Sequence, residues 1–404
     1  MKILLAHNFY GSSAPSGENS VFLAEKELLK QHGNTIVEFT RHSDEIRDRG
    51  FVGEIQGALA TTWNPFSKRA LWKLLEREQP DIMHVHNTFP LLSPSIFHAT
   101  RDSKTAVVLT LHNYRIFCAA GIPMRDGTPC TECLDSRSVS PGVRYGCYRN
   151  SKIATVPMAS MVALHRRVGT WSKHVDAFIS LTEFQKEKMA DAGLLKEKMY
   201  VKPPFYVDPP VPLPWREREQ KVVFIGRLGI EKGVDNLIEA WKLWGRGAPR
   251  LEIIGDGPEK DGLLKSIRGN GVEDKICFTG QLDSSSVRKR LGEARLLVLP
   301  SICFEGFPIV IPEAFSLGVP AAVSRLGPLP SIVTEGKNGE TFLPRDPVDL
   351  HRVLIKMWNS QEKLAEMGKA ARKEFDGKYT TDVNYGILMK IYRSAMEKRK
   401  SNIG

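Results

Sequence analysis

Residues 201–215 read VKPPFYVDPPVPLPW, six prolines in fifteen positions, and their reading decides the fold. Proline fixes φ and has no amide hydrogen, so this run is neither helix interior nor central strand and serves as an extended, fairly stiff linker. On its N-terminal side short β-rich runs alternate with longer amphipathic segments: KILLAHNF (2–9), TIVEFTR (35–41), DIMHVHN (81–87), TAVVLTLHN (105–113) and AFISLTE (177–183). On its C-terminal side the alternation resumes with VVFIGRL (222–228), LEIIGDG (251–257), KICFTGQ (275–281), RLLVLPS (295–301), AAVSRL (321–326) and GETFLP (339–344). Strand–helix alternation of this kind builds parallel sheets with crossover helices, so the fold class is α/β with two Rossmann-like domains.

The boundaries follow from the linker: an N-terminal domain over 1–205, a second over 206–380, and a last helix, 381–404, crossing back to brace the first. Other helices are predicted from near Asn19 to Gly33, from Ile153 to Lys173 with Met158, Met161 and Leu164 on its core face, and over 349–376. Open parallel sheets bind ligands outside the carboxyl ends of their strands, so the expected site is a cleft between the two domains.

At 404 residues each domain can bury its own core, and no apolar run approaches the roughly 18 residues of a membrane span. The opening MKILLAHNF has too short an apolar core for a signal peptide and reads as a first strand, so the expected location is cytoplasmic. A net charge of +11 implies attraction to an anion, whether nucleic acid, lipid or phosphorylated substrate. No acidic residue falls between Asp135 and Asp176, where Arg137, Arg144, Arg149, Lys152, Arg166, Arg167 and Lys173 lie. That stretch reads as a solvated face or as a surface for anionic lipid headgroups on the inner side of a membrane. No DNA-recognition motif accompanies the charge, so nucleic acid is not an expected partner.

Four of the six cysteines, Cys118, Cys130, Cys133 and Cys147, lie within thirty residues, two of them as Cys-x-x-Cys. The spacing suits one structural zinc, and equally suits reduced cysteines packed in an irregular loop. A thioredoxin-type redox pair is disfavoured, because the segment is no strand-to-helix turn.

Chemistry concentrates in the second half. GRLGIEKG (226–233) places Arg227 and Lys232 after a strand, with glycines that permit close backbone approach; a planar guanidinium and a mobile ammonium suit a diphosphate. IIGDGP (253–258) ends the next strand in a glycine turn without the spacing of a dinucleotide fingerprint, and no P-loop is present. CFEGFPIVIPEAFSLGVP (303–320) carries Glu305 in a Gly306-Phe307-Pro308 loop and Glu313 two turns into a predicted helix. With Pro308 near the first helical position, the amides of Ile309 and Val310 are free donors for a phosphate. A carboxylate accepts paired hydrogen bonds from vicinal hydroxyls, so one glutamate suits a ribose and the other a hexose. Phosphate, ribose and sugar side by side describe a nucleotide sugar.

GRLGIEKG, IIGDGP and EGFPIVIPEA, in this order and spacing, resemble the donor-binding domain of GT-B glycosyltransferases, more narrowly the retaining group 1 family (family 4) with its E-x7-E signature. HNFYGSSAPSGEN, DIMHVHNTFPLLSP and LTLHNYRIFC extend the likeness to bacterial members that build surface polysaccharides. The resemblance implies a hexosyl-type transfer from a nucleotide-diphosphate sugar to a glycan or lipid-linked acceptor, with retention and without a catalytic metal or other cofactor. It implies catalytic roles for His112, Glu305, Arg227 and Lys232, the last two gripping the diphosphate. It further implies ribose contact by Glu313 and donor contacts by Gly306, Phe307, Ile309, Val310 and Gly17. Two departures stand out: SGEN (16–19) replaces a double glycine, weakening any role for Glu18, and Ser331 stands where relatives often carry glutamate. A nucleotide-sugar epimerase on the same fold, or a non-catalytic subunit, remains the alternative reading.

Overall fold

Twelve parallel strands in two sheets organise the chain in a computed structural model that describes residues 1–12, 16–48, 50–207 and 209–403. Those of the first half are β1 (Lys2–Phe9), β2 (Thr35–His42), β3 (Ile82–Asn87) and β4 (Ala106–Leu111). A small antiparallel hairpin follows, β5 (Met124–Arg125) with β6 (Thr128–Pro129), and then β7 (Ala177–Ser180) and β8 (Met199–Val201). The second half contributes β9 (Lys221–Ile225), β10 (Arg250–Ile254), β11 (Ile276–Gly280), β12 (Leu296–Leu299), β13 (Ala321–Ser324) and β14 (Gly339–Phe342).

The chain divides into two compact units, one of Met1–Pro123, Thr131–Pro204 and Thr381–Gly404, the other of Met124–Cys130 and Phe205–Thr380. In the first unit the sheet order is β2-β1-β3-β4-β7-β8, the flavodoxin-like order, which reverses direction between β1 and β3. Its core joins Ile3, Leu5, Ile82, Val108 and Ile179 to Phe22 and Leu29 of helix Gly17–Gln31. The last helix, Thr381–Ile403, packs on β4 and β7 of this unit and adds Leu388, Tyr392 and Ala395 to the same core.

In the second unit the order is β11-β10-β9-β12-β13-β14, the dinucleotide-domain order, with its switch between β9 and β12. The helix Val234–Trp244 lays Leu237 and Trp241 into this core, both fully buried, and the Trp241 indole N–H donates to the Pro249 carbonyl at 2.9 Å. Burying a side chain of this size contributes on the order of 2–3 kcal/mol, provided its polar atom is satisfied. Trp244, at the helix end, packs against the same core but is only partly buried.

Two predicted helices are broken where the backbone turns. The segment from Ile153 to Lys173 is two helices, Lys152–Arg167 and Thr170–His174, because Gly169 adopts φ +74°. The segment 349–376 is likewise Pro347–Trp358 and Gln361–Lys378, split at Asn359 and Ser360. In the linker Asp208 lies outside the described residues, as do Ser13, Ala14 and Pro15 of the loop after β1.

Candidate active site

In the second unit the chemistry gathers at the β9/β12 switch. The loop after β9 is seated on the loop after β12 by close backbone packing at Gly233, which has φ +63° and where a Cβ would lie 2.2 Å from the Pro300 carbonyl oxygen. Only glycine fits there. The Ile302 amide donates to the Glu231 carbonyl at 2.9 Å, a further tie between the two loops. Lys232 is thereby brought to Glu305, its ammonium 2.8 Å from Oε1, and the same oxygen accepts from the Ser301 hydroxyl at 2.6 Å. Burial opposes the charge on Lys232, but the Glu305 carboxylate outweighs it and holds the ammonium above its ordinary pKa. Lysine has three N–H donors, so two remain beyond Glu305.

IIGDGP braces this loop from the other side. A Cβ at Gly255 would sit 1.9 Å from the Gly226 carbonyl oxygen and one at Gly257 2.4 Å from that of Leu228. The Leu228 amide donates to the Asp256 carbonyl at 2.9 Å. Those contacts leave Arg227 exposed, with no ion pair or side-chain hydrogen bond among the described residues.

Glu313 enters differently from its sequence expectation. The helix runs Val310–Ser316 and Ile309 caps it, the Glu313 amide donating to the Ile309 carbonyl at 3.2 Å. Glu313 therefore stands in the first turn, not two turns in, and Pro308 precedes the cap instead of opening the helix. The amides of Ile309 and Val310 remain at the open end of the helix, where first-turn donors lack intrahelical partners. Gly306 and Phe307 lie in the preceding loop, and the Phe307 ring meets Tyr379 edge-on at 5.9 Å. Burial pushes the Glu313 carboxyl up to about 7, with the Arg288 charge opposing. Arg288 also lies over the Tyr206 ring at 5.1 Å. Neither residue stood out in the sequence: Arg288 is one of three cations in RKR (288–290), and Tyr206 sits in the proline linker. Ser331, which stands where relatives often carry glutamate, donates its hydroxyl to the Pro328 carbonyl of its own turn at 2.6 Å.

The first unit holds His112 immediately after β4. Its Nε2 is 3.1 Å from Nδ1 of His86, whose Nε2 is 3.2 Å from Oε1 of Glu25. His84 and His86 are two apart on β3 and so share one sheet face. His84 reaches Glu25 Oε1 at 3.0 Å, the Tyr392 hydroxyl at 2.8 Å and the Thr110 hydroxyl at 2.8 Å. Lys202 lies 2.8 Å from the other oxygen of Glu25 and 2.9 Å from Asn384 Oδ1. Burial works against charge on Glu25, yet Lys202, His84 and His86 hold its carboxyl well below the usual range. Burial, reinforced by neighbouring histidines, lowers His112 well below its ordinary value and His86 to about 4.

Gly17 opens the helix Gly17–Gln31, capped by Ser16 through the Glu18 amide at 3.2 Å. Glu18, given little weight from sequence, accepts from the Asn113 side chain at 2.8 Å, and burial raises its pKa against Asn113, Arg115 and Tyr10.

Ligand atoms of Glu25, His84 and His86 lie within 4.8 Å of one another. The Lys202 ammonium on Glu25 and the hydroxyls on His84 already take the directions a cation would need. Among the described residues the cysteines form no such group, and all six are free thiols. Cys130 belongs to the hairpin of the second unit, whereas Cys118, Cys133 and Cys147 belong to the first.

Residues 210–374 match the family model described as glycosyl transferases group 1, and residues 21–206 match glycosyltransferase family 4. An uncharacterised glycosyltransferase of Methanocaldococcus jannaschii is 30% identical over 189 residues, 45% of this chain and 47% of that protein. The chain thus spans about half the length of that relative. N-acetyl-alpha-D-glucosaminyl L-malate synthase of Bacillus anthracis is 21% identical over 331 residues, 81% of this chain and 78% of that protein. Among solved structures, Anabaena HepE in complex with UDP has a TM-score of 0.64 at 16% identity, over 97% of this chain and 100% of that one, a likeness of fold. Two Rossmann-like parallel-sheet units with such neighbours are the GT-B class. The second unit thus resembles the group 1 glycosyltransferases and the first unit glycosyltransferase family 4.

Proposed function

We propose that the protein transfers a hexosyl-type sugar, with retention, from a nucleotide-diphosphate sugar to a hydroxyl of a glycan or lipid-linked acceptor. The observation that carries this reading is the Lys232–Glu305 pair at the β9/β12 switch, with Arg227 unpaired beside it. Departure of the nucleotide develops negative charge on the β-phosphate. Arg227, the two free donors of Lys232 and the amides of Ile309 and Val310 meet that charge, each good donor contributing about 3 kcal/mol in comparable oxyanion sites. Glu305 orients the ammonium and keeps it protonated, and its remaining oxygen serves hydroxyls of the sugar. Glu313 accepts from ribose hydroxyls, which favours its ionised form. His112 and Gly17 are the ligand-contacting residues of the first unit in this reading. The chain supplies the cations itself, and its sequence has no Asp-x-Asp to hold a divalent metal.

UDP is the first nucleotide to try, since Anabaena HepE was solved with it, and N-acetylglucosamine the first sugar, since the Bacillus anthracis relative is named for it. Purified Lys232→Ala should lose turnover by roughly 10²–10³-fold in kcat with its thermal unfolding close to wild type. Near-normal kcat in that variant rejects the reading.

A peripheral contact with an anionic membrane is a second reading, favoured by exposed apolar side chains on the first unit. Leu59, Phe66 and Ile153 are exposed, and Lys68 and Lys152 stand on the same helices as Phe66 and Ile153. The helix Gly50–Thr62 is tied to Lys152–Arg167 by the Thr62 hydroxyl on the Pro157 carbonyl at 3.2 Å. Among the described residues no helix is long and apolar enough to cross a membrane, so contact would be peripheral. Co-sedimentation with anionic vesicles at low salt checks it; equal recovery with neutral vesicles removes the anionic-lipid part.

A further inference from the structure

The histidines of the first unit form one connected chain of hydrogen bonds whose direction is set at its buried end. Glu25 is fully buried, held by the Lys202 ammonium on one oxygen and by His84 and His86 on the other. An ionised carboxylate only accepts, so a histidine nitrogen facing it carries the hydrogen. His86 Nε2, 3.2 Å from Glu25, is thus N–H. A neutral imidazole has one N–H, which leaves His86 Nδ1 as a bare acceptor 3.1 Å from His112 Nε2. His112 therefore donates from Nε2. Its Nδ1 keeps a lone pair and has no hydrogen-bond partner among the described residues.

We propose that Glu25 and His86 are positioning residues that, anchored by Lys202, fix His112 as its Nε2–H tautomer and so present an Nδ1 acceptor to the ligand. The group read by His112 is then a hydroxyl, which can donate, and not a phosphate or carbonyl oxygen. This rests on the transferase reading only for the identity of the ligand; the tautomer itself follows from the contacts.

Every element around the chain agrees with that direction. β1 brings His7, whose Nε2 is engaged by Asn19 Oδ1 at 2.9 Å. β4 brings Thr110 and the C-terminal helix Tyr392, both on His84, while Asn384 and Glu25 share Lys202. Burial, with His84 and the nearby Lys202, outweighs the Glu25 charge and keeps His86 neutral, so the relay does not reverse by protonation near neutral pH.

The test is the nitrogen spectrum of ¹⁵N-histidine-labelled full-length protein at pH 7.5, with the His112 signals identified by their loss in His112→Asn. The expected pattern is a protonated Nε2 and an unprotonated Nδ1 for His112. A protonated Nδ1 overturns the proposal whatever turnover does, and this wild-type measurement stands even where a variant fails to fold. Glu25→Gln should mix the two tautomers and lower kcat about 10²-fold or more, as when a buried acidic orienter is neutralised, with the donor KM changed less. His86→Gln should fall in kcat alongside it. A Glu25→Gln protein with an unchanged His112 spectrum and wild-type kcat overturns the positioning role. If wild type turns over no nucleotide sugar while His112 shows the expected tautomer, the transferase reading fails and the relay stands.

Discussion

Each unit places a lysine ammonium 2.8 Å from a glutamate, Lys202 on Glu25 in the first and Lys232 on Glu305 in the second. The side chains of the first pair are 3% and 1% exposed, those of the second 21% and 11%. Enclosure decides what each can do. Glu25 lies under the sheet between Lys202, His84 and His86, so its charge is balanced internally and no outside ion enters the account. The second pair sits on loops beyond the strand ends, with Arg227 exposed and unpaired among the described residues on the loop after β9, a charge that a bound diphosphate would neutralise.

Removing the two lysines should separate these roles most sharply. Lys202→Met leaves a buried carboxylate without its cation and should lower unfolding free energy by about 3–5 kcal/mol. Lys232→Ala, in a half-open pair, should cost about 1 kcal/mol. Urea denaturation of both variants measures the difference. Equal losses would mean that the second pair is as structural as the first, and the contrast would fall.

Two carboxylates sharpen the comparison on the pH axis. Glu25 is lowered by its cationic neighbours despite burial, whereas Glu313, with only Arg288 to oppose burial, is raised from 4.5 to about 7. The signs are opposite. A raised carboxyl binds more protons folded than unfolded, so its contribution is fully present below pH 4.5 and is lost as pH rises through about 7. The loss amounts to about 3 kcal/mol at most. Glu25 instead contributes stability above its ordinary value that disappears only as pH falls through its lowered one. Glu313→Gln should therefore gain on wild type between pH 5 and 8 in denaturant titrations. If the two stability curves run parallel, the Glu313 carboxyl is not raised. Nucleotide binding adds a second reading: ribose hydroxyls donating to Glu313 favour the carboxylate, so binding near pH 6.5 should release protons, visible by calorimetry in buffers of different ionisation enthalpy.

How far the sequence reached follows the same division. Lys232 and Glu305 stand in loops flanked by glycine and proline, where a charge has no packing reason to be, and the structure does bring them together. The linker prolines and the alternation of runs gave both sheets, because burial on two faces leaves continuous apolar strands. The relay behind His112 was hidden in DIMHVHN, where His84 and His86 read as strand residues; only their contacts with Glu25 of the helix Gly17–Gln31 reveal that both face it. Glu25 looks like any helix glutamate; its partner Lys202, Asn384 on that lysine and Tyr392 on His84 come from about 180 to 370 residues farther along the chain. The helix breaks at Gly169 and Ser360 were missed because the apolar periodicity runs across them.

The smallest expected effect is on stability at Arg227, and it isolates the ligand's share of the second site. Arg218, nine residues earlier, shows what a structural arginine looks like: its guanidinium donates to the carbonyls of Leu213, Leu317 and Gly318, and burial lowers its pKa to about 10. Arg227 makes no such contact, and its exposed side chain could be cut away without orphaning any partner. Arg227→Ala should thus leave unfolding free energy within about 0.5 kcal/mol of wild type. Its cost should appear only where an anion is present, as weaker nucleotide-diphosphate binding and lower kcat/KM. Because the lost interaction is a charge at an exposed site, the gap between variant and wild type should narrow as salt rises. A nucleoside lacking phosphates should bind both proteins alike. If the nucleoside binding also drops, Arg227 is shaping the loop after β9 instead of meeting the diphosphate, and the division between an internally balanced first unit and a ligand-balanced second would have to be redrawn around Lys232 alone.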